Sequence, residues 1–172
     1  MHAYKIVRNA TEYTQKNFSL VIFSRIFYDI EGKSPTIAIT KEGIYMSTLA
    51  TNLIGTATTT VTAANIAATM KSGSLAVFAT PAMCALMEEA ACAAVNAHMD
   101  EGAGTVGISL SITHDRATAM NDTVTATAKL IAIDGRKLTF EVSAADSKGT
   151  IGKGTHERFI IDNEKFMAKV NK

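Results

Sequence analysis

Residues 80–98 read TPAMCALMEEAACAAVNAH, and this composition predicts the one long helix of the chain. Alanine, leucine and methionine are strong helix formers. Thr80 suits the N-cap, and Pro81 suits the first helical position, where its missing N–H has no intrahelical partner to lose. The run Asp100-Glu101-Gly102-Ala103-Gly104 ends the helix after about His98. At about 100° per residue, Met83, Met87, Ala90, Ala91 and Ala94 form one apolar stripe. Glu88 falls at the edge of that stripe beside Cys84 and Val95, whereas Glu89 falls on the solvent side. Two neighbouring acids are thus expected to behave differently.

Working outward, Gly55 to Thr62 is short, rich in threonine and predicted to be a strand. Ala63 to Met70 favours a short helix, and Ser72-Gly73-Ser74 is a flexible break. Beyond the long helix every segment reads as strand. Val106, Ile108, Leu110 and Ile112 alternate, as do Val124, Ala126, Ala128, Leu130 and Ala132. Asp134-Gly135 signals a tight hairpin, after which Leu138, Phe140, Val142 and Ala144 continue the alternation. Ser147-Lys148-Gly149 turns the chain into a last strand, Thr150 to Ile161. A strand, a long helix and an antiparallel meander define an α+β domain with the helix on one face of the sheet.

The chain of 172 residues is long enough for one real core. Its formal net charge of +1 gives no global field to attract nucleic acid or an anionic membrane. Cys84 and Cys92 lie about 12 Å apart along one helix, too far for a disulfide, and have no partners at zinc-ligand spacing. Free thiols suit a reducing cytosol. Phe18 to Ile30 is the most apolar early run, but Arg25 and Asp29 interrupt it, so neither a transmembrane span nor a signal peptide is expected.

Composition breaks near Met46. All four tyrosines (Tyr4, Tyr13, Tyr28, Tyr45) precede it, while alanine and threonine become abundant only after it. Residues 1–45 are therefore expected to be an extension of a different kind, either upstream of the true start or an added arm. Residues 46–172 form the domain.

Three side chains are candidates for chemistry. A partly buried Glu88 would be tuned toward general-base work, although an amphipathic boundary position with its carboxylate in water fits the spacing as well. Helix-start N–H groups near Thr80 suit a developing oxyanion, although Thr80 also reads as a plain N-cap. His114 ends a strand where the chain leaves the sheet, which suits a structural or a catalytic histidine.

A set of motifs then carries a resemblance. Phe78-Ala79-Thr80-Pro81-Ala82-Met83 with Leu86-Met87-Glu88, Thr113-His114 with Ala117-Thr118-Ala119, Asp134-Gly135-Arg136, Val142-Ser143-Ala144 and Gly154-Thr155-His156-Glu157-Arg158 occur in order. Glu164-Lys165-Phe166 and Ala168-Lys169-Val170 follow. Together, from Gly55 to Lys172, they resemble the fluoroacetyl-CoA thioesterase-like family of hot-dog proteins. The resemblance implies a hot-dog fold, an antiparallel sheet wrapped around one long central helix. It also implies an acyl-CoA thioesterase working as a homodimer or larger homo-oligomer; no cofactor or metal is expected, and the free thiols make the cytoplasm the expected setting.

It further implies a catalytic triad of Thr80, Glu88 and His114. Gly107 would let the acyl end approach the backbone, and Arg158 would either lie near the substrate or form a structural ion pair, while His156 and Glu157 are read as ordering the last strand, with no part in catalysis. The family's fluoroacetyl enzyme has bulky aromatics just before its threonine, whereas Met70-Lys71-Ser72-Gly73-Ser74-Leu75 has none. Fluoroacetyl selectivity is therefore not expected, and the pocket should be more open. Lys71 is placed to meet a coenzyme A phosphate or simply water. Two rivals share the fold: a non-catalytic acyl-CoA binder or sensor, which would not need all three residues, and an enoyl-thioester hydratase, which would carry acid and histidine close together on the helix.

Overall fold

The computed structural model describes residues 49–172 in full, and ahead of them the backbone of six short strands. The chain divides into two compact units, Met1–Ala50 and Thr51–Lys172. In the first, β1 (Lys5–Ala10) pairs with β4 (Phe23–Tyr28), β2 (Tyr13–Gln15) with β3 (Phe18–Leu20), and β5 (Ile37–Thr40) with β6 (Gly43–Met46), all antiparallel. The composition break at Met46 and the tyrosines before it concern side chains outside the described residues.

The second unit follows the expected order. Strand β7 (Ile54–Thr60) precedes α1 (Thr80–Val95), which ends in a 3-10 turn over Asn96–His98. Then come β8 (Ala103–His114), β9 (Thr123–Asp134), β10 (Lys137–Asp146) and β11 (Gly149–Asp162). The five strands form one antiparallel sheet in the order β7-β9-β10-β11-β8. Both turns fall where glycine was read: Gly135 and Gly149 have φ of +57° and +117°, a region side chains with a Cβ rarely adopt.

One face of the sheet packs on α1. Val124, Ala126, Ala128 and Leu130 from β9 are fully buried, as are Leu138, Phe140, Val142 and Ala144 from β10. Met83, Met87, Ala90, Ala91 and Ala94 meet them from the helix, the stripe the wheel selects. Small residues set the distance between helix and sheet. A Cβ on Gly55 would collide with Ala94 N and Ala90 O, so β7 runs directly against the helix backbone.

Four expectations need correction. Residues 63–70 form turns, not a helix. The Asn65 side chain takes the Thr62 N–H at 2.7 Å and donates to Thr60 O, while Thr62 Oγ1 takes the Ala64 N–H, so local side chains displace helical bonding. Ala67 N and Ala68 N bond instead to Val77 O and Leu75 O.

The alternation in β8 and β9 is broken by bulges. In β8, Ser109 opposes Glu157 and Gly107 opposes Arg158, leaving Ile108 as the extra residue, 51% exposed. Val106 and Ile108 therefore do not share the face of Leu110 and Ile112. In β9 a register shift around Ile131 puts Ala132 in solvent. Finally, a short helix α2 (Asn163–Val170) follows the sheet, capped by Asp162, whose side chain accepts from Lys165 N.

Candidate active site

The site is built on α1, the edge strand β8 and its neighbour β11. At the helix start the N-cap is Ala79 rather than Thr80, and no side chain caps it. Thr80 is the first helical residue, which leaves its hydroxyl free of the helix. The hydroxyl lies 2.8 Å from His114 Nδ1, at the end of β8. The other ring nitrogen, His114 Nε2, is buried without a hydrogen-bond partner. Such an orphan is costly unless something polar meets it in use.

Beside this pair opens a cavity of about 460 Å³. Ser72, Gly73, Ser74 and Leu75 line it from the loop before α1, and Arg116 and Ala117 from the segment after His114. Lys71 is exposed and is not among the lining residues. The segment bearing His114 is anchored from behind. Arg116 donates to Asp146 Oδ1 at 2.5 Å and to Gly149 O at 2.6 Å, and Thr118 donates to Asp146 Oδ2 at 2.8 Å. Burial raises the Asp146 pKa, but these bonds from Arg116 and Thr118, with the Lys148 N–H, outweigh it and hold the carboxyl below its ordinary value.

Two turns along α1 lies a second group. Glu88 is 44% exposed by side chain, and its Oε1 lies 3.8 Å from His156 Nε2 and 3.9 Å from Arg158 Nη1. Glu89 is exposed, as the wheel places it. Gly107 lies beneath: a Cβ there would stand 2.6 Å from Glu88 Oε1 and 3.2 Å from His156 Cε1. The β8 bulge turns Gly107, rather than Ile108, toward the helix.

His156 and Arg158 are 1% and 6% exposed, at i and i+2 on the same face of β11. Arg158 is fixed by three bonds: Nε to Thr105 Oγ1 at 2.8 Å, Nη2 to Thr105 O at 2.9 Å and Nη1 to His156 Nε2 at 3.1 Å. His156 Nδ1 lies 2.7 Å from Ser109 O. A carbonyl can only accept, so Nδ1 carries the proton and Nε2 is free to accept from arginine. Burial lowers the His156 pKa, and the Arg158 cation lowers it further, against the opposing pull of Ser109 O and Glu88.

The structure thus brings Thr80 to His114, and Glu88 to Gly107 and Arg158. Within one chain it does not join the two groups, because eight helical residues separate Thr80 from Glu88 by about 12 Å. His156 was given no part by sequence, although its place two residues before Arg158 on a strand put both on one face. Asp146 and Arg116 left no pattern at all. Among the described residues no three His, Cys, Asp or Glu side chains cluster as metal ligands, Cys84 and Cys92 are free thiols, and no helix is long and apolar enough to cross a membrane.

A curled five-stranded antiparallel sheet around one helix, with these polar groups along its face, defines a hot-dog thioester hydrolase. A model of the family described as fluoroacetyl-CoA-specific thioesterase matches residues 61–164, and the chain belongs to that family. A fluoroacetyl-CoA thioesterase from Streptantibioticus cattleyicolor is 47% identical over 94 residues, covering 55% of this chain and 68% of the relative. Among solved structures, a mutant fluoroacetyl-CoA thioesterase with bound fluoroacetate superimposes with a TM-score of 0.67 at 35% identity, covering 72% of this chain and 97% of the other. A second mutant of that enzyme, in complex with acetyl-CoA, gives 0.66 at 36%, with coverage of 72% and 97%. A Thermus thermophilus thioesterase superfamily member gives 0.68 at 23%, covering 73% and 93%, a likeness of fold alone.

Proposed function

We propose that the protein hydrolyses acyl-CoA thioesters to the free acid and coenzyme A, with Thr80, Glu88 and His114 as the reacting side chains. The observation that carries this reading is the Thr80–His114 pair, which lines an open cavity and in which the second ring nitrogen, Nε2, is buried without a partner. Nε2 is available to polarise the thioester carbonyl or to protonate the departing thiolate. Glu88 attacks the carbonyl carbon or takes the proton of an attacking water. Either route breaks the C–S bond and consumes one water overall. Gly107 leaves room for the acyl end against the backbone, and Arg158 supplies positive charge beside it.

Because Thr80 and Glu88 of one chain stand about 12 Å apart along the helix, the reading extends to a homodimer. Glu88 and Arg158 of one copy then complete the Thr80–His114 site of the other. Residues 46–172 carry this activity, with residues 1–45 an extension outside it. Two free thiols favour a reducing, cytoplasmic setting.

The acyl group on this reading is not restricted to fluoroacetyl. The cavity wall from 72 to 75 is Ser-Gly-Ser-Leu, which offers room rather than an aromatic plug. The test is thiol release from a panel of short, branched and aromatic acyl-CoAs, with Glu88→Gln and Glu89→Gln alongside the parent. Turnover lost only in Glu88→Gln supports the reading. Acyl-CoA bound but never cleaved would replace it with an acyl-CoA sensor, and fluoroacetyl-CoA as the sole substrate would overturn the open acyl pocket.

A further inference from the structure

Arg158 and Glu88 carry opposite charges, yet their nearest atoms stop at 3.9 Å, beyond hydrogen-bond reach. The guanidinium has been taken up elsewhere. Two of its N–H groups go to Thr105 and fix its plane, and Nη1 goes to His156 Nε2 at 3.1 Å. His156 can accept there only because its own proton is committed to Ser109 O on the other side of the ring. Its ring is locked by burial against Phe140, with centroids 6.2 Å apart.

We propose that His156 is a positioning residue that keeps Arg158 from closing to hydrogen-bond distance on Glu88, so that the carboxylate oxygen stays free of a direct guanidinium hydrogen bond. The proposal rests on Glu88 being the reacting carboxylate. A guanidinium hydrogen-bonded directly to Glu88 would stabilise the ionised form and blunt it as base or nucleophile. Held one ångström further away, the same cation still supplies its field to a developing negative charge. A protonated His156 could not do this, because Nε2–H would face Arg158 donor to donor and compete for Glu88. The titratable groups around Glu88 are Arg158 and His156 on β11 and, one turn earlier on α1, the Cys84 thiol, which burial and the Glu88 charge push up and keep protonated.

The test is the pH dependence of thiol release by the full chain, using whichever acyl-CoA the panel identifies. His156→Gln can place an amide oxygen near the Nε2 position and retain the acceptor. His156→Asn can keep a donor toward Ser109 O but loses the acceptor. In His156→Asn, Arg158 closes on Glu88, the acid limb of the rate profile moves to lower pH by about one unit, and kcat falls about tenfold with KM little changed. His156→Gln retains the parent limb.

A limb that stays in place in His156→Asn while activity falls marks a merely structural histidine and overturns the proposal. The parent offers a check that no folding defect can obscure. Nitrogen NMR of the imidazole should show neutral His156 protonated at Nδ1 at neutral pH, and a proton on Nε2 overturns the proposal without any variant. A parent that cleaves no acyl-CoA removes the thioesterase reading and this one together, whereas a cleaving parent with the wrong tautomer removes this one alone.

Discussion

Gly107 and Glu88 are so close that a Cβ on the glycine would lie 2.6 Å from the carboxylate oxygen. Gly107 has no positive φ, so the backbone tolerates alanine; the severe crowding falls on the far end of a partly exposed side chain, and the buried His156 ring, 3.2 Å away at Cε1, has to give by only a few tenths of an ångström. Gly107→Ala should therefore fold normally and displace the Glu88 carboxylate. The expected result is a melting temperature within a few degrees of the parent and thiol release reduced about tenfold or more. Full activity would mean that the carboxylate need not stand where it does.

Thr80 begins α1 but does not cap it, since Ala79 is the N-cap and the Thr80 hydroxyl goes to His114. Thr80→Val keeps the shape and removes that bond. Stability should change by no more than about 1 kcal/mol, while kcat/KM falls about a hundredfold as His114 loses its orientation. Thr80→Ser keeps a hydroxyl and should retain much of the rate. A large stability loss in Thr80→Val would return the residue to a structural role.

How far the sequence reveals this molecule depends on whether a feature is local. The helix stripe, the Gly135 and Gly149 turns and the buried faces of β9 and β10 follow from spacing, because each needs only the residues in one segment. The bulges at Ile108 and Ile131 do not, since a register shift is decided by the partner strand. Missing the first hides the reason Gly107, not Ile108, faces Glu88. The wheel separates Glu88 from Glu89, but it cannot find His156 and Arg158 beneath Glu88, which come from a strand some seventy residues later. Likewise Thr80 reads as a cap until the fold brings His114 to its hydroxyl.

Asp146 is the anchor behind the His114 segment, with a side chain 1% exposed and bonded to Arg116 and Thr118. Its carboxyl is held below the ordinary value in the folded chain. A folded pKa below the unfolded one stabilises above the unfolded value, about 3.9, and that stabilisation is lost as pH falls through the folded value. Asp146→Asn should lower stability by about 1–2 kcal/mol at neutral pH. It should also flatten the acid side of the stability curve. Denaturant melts of both proteins from pH 7 down to pH 3 measure this, and parallel curves would assign the acid sensitivity elsewhere.

The separation of Thr80 from Glu88 yields the sharpest test of the assembled site. On the homodimer reading, Thr80→Val and Glu88→Gln alone should each retain no more than about a hundredth of the parent rate. If each site takes Thr80 and His114 from one copy and Glu88 from the other, a mixed dimer has one site with both defects and one with neither. Half of a random mixture is mixed dimers, each with one working site, so co-expression of the two variants should restore about a quarter of the parent rate. If every site draws all three residues from a single chain, each chain in the mixture is defective and no activity returns. The measurement is thiol release by the purified mixture, with each variant alone as its control. Recovery would require the two residue groups, about 12 Å apart along one helix, to meet across the two-fold axis.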